Sequence, residues 1–141
     1  MPRALLDTNQ LVSSLLSAGG VQSQLVDEWR RRAFVLFLAP RQVEEIGEVL
    51  SRSKIAKKYG ISSADREGLL ELLRTEGIRL PHAPPPRVCR DPDDDYLLGC
   101  AVAGRVDYVV TGDNDRLVLG EYRGVMIVDG RQFLDLLHEA A

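Results

Sequence analysis

Hydrophobic positions in this chain change period repeatedly, from the alternation or continuous runs of strands to the three-to-four spacing of helices. Residues 3–6 form a short apolar strand that ends on Asp7-Thr8-Asn9, turn and cap chemistry leading into an apolar helix over about 11–16. A second helical pattern covers about 23–31. The continuous apolar run at 33–39 then reads as a strand buried on both faces. Pro40 takes the favoured first-turn position of a helix whose Val43, Ile46 and Leu50 share one side. Residues 63–75 form another helix, capped by serine and ended by Gly77, before a short strand at 78–80. Residues 82–90, with three consecutive prolines, are an extended connection too short for a domain boundary. A helix at about 94–103, a strand at 107–111, a loop containing Gly112-Asp113, a strand at 125–128 and a helix at 131–139 complete the chain. Strands alternating with helices predict one α/β domain over residues 1–141, with a parallel sheet and right-handed crossovers. There is no internal repeat and no low-complexity tract.

Composition narrows the class. A chain of 141 residues can bury a core without disulfide or metal staples, and 45% hydrophobic with 28% charged residues is ordinary for a soluble domain. No apolar run approaches a membrane span and the N-terminus lacks a signal-peptide core, so the expectation is a cytoplasmic protein with no membrane contact. Cys89 and Cys100 lack metal-ligand spacing and read as structural. A net charge of −3 is unusual for a nucleic-acid binder. Divalent cations bound among clustered acids would invert that potential locally. Arginines 30–32 and the bunch Arg52, Lys54, Lys57, Lys58 could follow a phosphate backbone, or be solvated helix faces.

In an open parallel sheet, ligands bind outside the carboxyl ends of the strands, which singles out acids placed directly after strands. Asp7 follows the first strand and Asp113 follows Tyr108-Val109-Val110-Thr111-Gly112. Either alone could be a helix cap. On the helix after Pro40, Val43, Ile46, Val49 and Leu50 define the buried side; Glu45 lies nearest its margin, while Glu44 and Glu48 point away. In Asp91-Pro92-Asp93-Asp94-Asp95, Asp94 heads the apolar stripe Leu97, Leu98, Ala101, and Asp95 is expected a quarter-turn away, directed towards solvent or a backbone amide. Asp93 reads as helix N-terminal charge complementing the macrodipole.

Four carboxylates in one crevice repel one another unless a cation neutralises them. Oxygen-only ligation suits Mg²⁺ or Mn²⁺ better than Zn²⁺, and such sites support phosphodiester hydrolysis. Competing chemistries lack their residues. The second Asp of haloacid-dehalogenase phosphatases is Asn9 here, a Gly-rich dinucleotide turn is replaced by Asp7-Thr8-Asn9, and His82 and His138 lie in surface contexts.

Leu5-Leu6-Asp7-Thr8-Asn9, the helix segment from Val43 to Arg52, the segment from Asp91 to Ala101, and Asp107-Tyr108-Val109-Val110-Thr111-Gly112-Asp113 together resemble PIN-domain proteins. The likeness is particularly to the toxin components of prokaryotic toxin-antitoxin systems, the VapC-type ribonucleases. Each motif is weak alone, but the ordered set spans nearly the whole chain. The resemblance implies a PIN-like three-layer α/β/α sandwich with a central parallel sheet, commonly dimeric or in a higher homo-oligomer. It implies a Mg²⁺-dependent endoribonuclease whose acidic quartet is Asp7, Glu45, Asp94 and Asp113, with RNA as substrate and a small antitoxin protein as partner. Thr8, Asn9 and Thr111 would be polar neighbours of the site and Asp115 an auxiliary residue. Asp94 and Asp95 both align with the family's single acid at the third position. The alternative reading is a PIN-like RNA- or protein-binding module with little catalytic activity.

Overall fold

The computed structural model describes residues 1–87 and 92–140; the side chains of residues 92–94 fall outside that description, as does Cys89. In chain order the elements are β1 (Arg3–Leu6), α1 (Thr8–Leu16), α2 (Val21–Arg30), β2 (Val35–Leu38), α3 (Gln42–Ser51), α4 (Ser53–Tyr59) and α5 (Ser63–Glu76). There follow β3 (Ile78–Arg79), α6 (Pro92–Ala103), β4 (Tyr108–Val110), α7 (Asn114–Leu117), β5 (Glu121–Tyr122), β6 (Val125–Val128) and α8 (Gly130–Ala140). The sheet order is β3-β2-β1-β4-β6-β5. All pairings are parallel except that of β5 with β6, a short antiparallel edge absent from the expected scheme.

Strand alternation builds two cores. Ala4, Leu6, Leu36, Leu38 and Val110 face a cluster with Leu11, Leu25, Ile46, Leu70 and Phe133, contributed by α1, α2, α3, α5 and α8. Leu5, Phe37, Val109 and Ile127 face the opposite way, against Leu97, Leu98, Cys100 and Ala101 of α6. Helices therefore cover both faces of the sheet, as parallel strands require. Burial pushes the Cys100 thiol up from its ordinary pKa, the behaviour of an inert structural cysteine.

The extended proline segment has a packing role. A Cβ at Gly99 would lie 2.8 Å from Pro84 O and 3.2 Å from Pro85 Cα, so that segment lies directly on the outer side of α6. Residues 95–101 of α6 are consequently buried all round, whereas a half-exposed helix would bury only one stripe.

The chain leaves β1 towards β2 and β3 on one side and returns to β4 and β6 on the other. The connection direction therefore reverses between β1 and β4, which opens a crevice at their carboxyl ends. Asp7 N donates to Val110 O at 3.0 Å, and Thr111 N donates to Val128 O at 2.9 Å, so the sheet pairing continues up to the residues that carry the candidate chemistry.

Candidate active site

Asp7 leaves β1 in extended geometry and caps α1, its Oδ1 accepting from Gln10 N at 2.9 Å. Its Oδ2 accepts from Thr111 Oγ1 at 2.6 Å and from Arg116 Nη1 at 3.1 Å. The residue is only 5% exposed. A buried carboxylate would be costly without this pairing.

Two threonines extend the network from Asp7 to its neighbours. Thr8 Oγ1 donates to Glu45 Oε2 at 3.1 Å, tying the start of α1 to the first turn of α3. Glu44 and Glu48 point elsewhere on that helix, towards Arg79 at 3.9 Å and Arg52 at 3.6 Å respectively. On the other side, Thr111 Oγ1 accepts from Asp113 N at 3.0 Å. Asp113 caps α7 by accepting from Asp115 N at 2.8 Å, so Asp115 takes part through its backbone while its side chain is exposed. Asn9 is exposed on α1. His82 and His138 are exposed as well.

The first turns of α6 approach the same rim. Tyr96 Oη accepts from Arg41 N at 3.0 Å and its ring lies under the Arg41 guanidinium, which pins α6 beside the N-terminus of α3. The side chain of Asp94 lies outside the described residues. Asp95 is 5% exposed and partnered, so of the two orientations that the helical stripe allowed, solvent or a backbone amide, it does not take the first. The proline segment packs on α6 at Gly99, one turn further along the helix from Asp95. Among the described residues, no three Asp, Glu, His or Cys side chains form a metal-ligand group, and Asp94 is not among those residues.

Two residues of the site escaped the sequence reading. Gln42, fully buried, accepts from Ala39 N at 2.8 Å and donates to Leu6 O at 2.8 Å, so it fastens α3 to the ends of β1 and β2 and places Glu45 one turn further on. Arg116, 7% exposed, supplies a cation to Asp7. A single arginine within the acidic run after β4 was its only signal. Concavity alone does not locate this chemistry: a groove of about 430 Å³ bordered by Met1, Trp29, Arg30 and Phe34 opens at the amino end of β2, the opposite edge of the sheet.

The donor set fits a hard divalent cation. Asp7, Glu45 and Asp113 offer carboxylate oxygens and no nitrogen or sulfur ligand; the Thr8 hydroxyl holds the Glu45 carboxylate, and the Thr111 hydroxyl links the Asp7 carboxylate to the Asp113 backbone N–H. The mostly parallel sheet, covered by helices on both faces, is an α/β fold. The PIN domain model matches residues 3–115, and the chain belongs to that family. PIN domains are generally nucleases, a class of hydrolases that act on RNA and typically use divalent metals. PAE2754 from Pyrobaculum aerophilum, known from its crystal structure, shares the fold with a TM-score of 0.61 and 17% identity, over 98% of this chain and 96% of that one. No curated protein sequence matches the chain significantly. Among the described residues, no helix is long and apolar enough to cross a membrane.

The third acid can be decided by paired substitution. Asp94→Asn is expected to abolish the metal-induced rise in melting temperature and to leave metal-free stability little changed. Asp95→Asn is expected to lower metal-free stability by about 1–3 kcal/mol through loss of a buried charge from its partner, and to keep the metal response. Melting both variants with and without Mn²⁺ checks this, and the opposite pattern moves the ligand to Asp95.

Proposed function

We propose that this chain is a Mg²⁺- or Mn²⁺-dependent endoribonuclease, and the toxin of a VapC-type toxin-antitoxin pair. The observation that carries the reading is the buried carboxylate of Asp7 at the switch point, beside Thr8, whose hydroxyl donates to Glu45, and Thr111, whose hydroxyl donates to Asp7 and accepts from the Asp113 backbone N–H. Asp7, Glu45, Asp113 and either Asp94 or Asp95 would hold the cation. When bound, it supplies Lewis acidity that activates water and stabilises charge on phosphoryl oxygens. Thr111 fixes the orientation of Asp7, Thr8 fixes that of Glu45, and the rigid strand ends keep both carboxylates at one edge. RNA would approach across this rim, where the cation offsets the acidic charge of the chain.

Purified protein incubated with a mixed RNA pool should cleave it in Mg²⁺ or Mn²⁺ and stop in excess EDTA. Cleavage that persists in EDTA overturns the metal mechanism. Expression without a small antitoxin should arrest growth and co-expression should relieve it. Normal growth with soluble, RNA-active protein removes the toxin role and leaves the nuclease reading intact.

One observation favours a second reading, a PIN-like RNA- or protein-binding module with little catalysis. Asp7 already has a protein cation, Arg116, as counter-charge. Under that reading the RNA pool stays intact in every metal condition while the protein still binds RNA or a protein partner.

A further inference from the structure

We propose that Arg116 is a built-in counter-ion of the metal site, which holds Asp7 in the metal-free protein and must give up that carboxylate when a divalent cation binds. The proposal rests on the metal-dependent reading above and adds to it a residue that sets metal affinity.

Lone-pair accounting leads to the exchange. Oδ2 of Asp7 accepts from Thr111 Oγ1 at 2.6 Å and from Arg116 Nη1 at 3.1 Å, which fills both its acceptor positions. Oδ1 accepts from Gln10 N at 2.9 Å. A cation can reach Oδ2 only by replacing one of the two donors there. Thr111 is fully buried and its hydroxyl also accepts from Asp113 N, so it is held from two sides. Arg116, on the four-residue α7, also donates to Thr111 Oγ1 at 3.4 Å and has further partners, but it is the charged donor of the two, so an entering cation repels it and not the neutral Thr111 hydroxyl. A cation entering at the remaining position on Oδ1 would still share one carboxylate with a guanidinium, and like charges repel strongly where water is excluded. The pair therefore makes opposite contributions in the two states. Without metal, Arg116 neutralises a buried carboxylate; with metal, it competes for it.

The test compares the parent with Arg116→Met, which keeps the apolar stem, and Arg116→Lys, which keeps the charge. Each is titrated with Mn²⁺ and Mg²⁺ and followed by thermal melting and calorimetry. Arg116→Met should melt lower than the parent without metal, yet half-saturate at about a tenfold lower metal concentration, with Arg116→Lys close to the parent. Half-saturation of Arg116→Met at the parental concentration or higher overturns the proposal, because Arg116 would then only support the fold. If Arg116→Met does not fold, the parent decides: the Arg116 Nε–Hε resonance should shift on titration with diamagnetic Mg²⁺, and a stationary resonance at saturation overturns the exchange. No metal response in the parent or either variant overturns the metal reading itself, and this proposal with it. A parental response that Arg116→Met leaves unaltered overturns the role of Arg116 alone.

Discussion

Asp7→Asn should reduce metal-dependent RNA cleavage by about three orders of magnitude, to background in most assays, because it removes the charge that a hard cation requires. The same substitution should also cost stability. An asparagine oxygen can still accept from Gln10 N, but its amide nitrogen then faces Thr111 Oγ1 and Arg116 Nη1, two groups that donate to the native carboxylate. Leaving a buried guanidinium without its carboxylate costs about 2 kcal/mol after local relaxation and water entry. For a domain of this length that is a fall in melting temperature of roughly 7 °C. Far-UV circular dichroism should still report the native fold, while the metal-induced melting shift disappears. Cleavage at the parental rate would reduce Asp7 to a helix cap.

Much of the scaffold was legible because its signals are local. Leu5-Leu6-Asp7 shows a strand running into a capped helix, and the structure has Asp7 capping α1 at the end of β1. The boundary position of Glu45 follows from the placement of Val43, Ile46 and Leu50 on one helical face, and in the fold those three are buried while Glu45 is half-buried. What the sequence hid depends on contacts between distant segments. Asp95 is buried and prolines 84–86 pack on α6 at Gly99, and no period within α6 reports on a cover supplied by another stretch of chain. Arg116 is 109 residues from the carboxylate it neutralises. The helix α4 and the strand β5, both short, were also missed; α4 has no buried residue to give it a period, and β5 is two residues long. Local pattern thus placed Asp7 at the end of β1 and Glu45 at the margin of α3, whereas tertiary packing decided that Arg116 faces Asp7 and that Asp95 is shielded from water.

Gln42→Ala is expected to cost more stability than Asp7→Asn. The Gln42 side chain is fully buried and spans two backbone groups that have just left the sheet, the Ala39 N–H and the Leu6 C=O, each at 2.8 Å. Alanine leaves both groups without these partners in a site closed to bulk water, at about 1–3 kcal/mol each, and adds a void where the Cγ, Cδ, Oε1 and Nε2 atoms stood. A net cost of about 3–4 kcal/mol is expected, a fall of roughly 10–14 °C in melting temperature. Gln42→Leu separates the causes. It refills most of the volume but restores neither hydrogen bond, so it should recover less than half of the loss if hydrogen bonding dominates. Recovery to near the parental melting temperature would show instead that Gln42 acts by filling space. The consequence reaches the site because α3 is held to β1 through this residue and carries Glu45, whose contact with Thr8 depends on the same alignment. Both variants should therefore cleave RNA about tenfold more slowly than the parent at a temperature where each remains folded, although no candidate metal ligand has been altered. Single-turnover cleavage alongside thermal melting measures the two effects separately, and parental cleavage by a destabilised Gln42→Ala protein would show that the position of Glu45 does not depend on this latch.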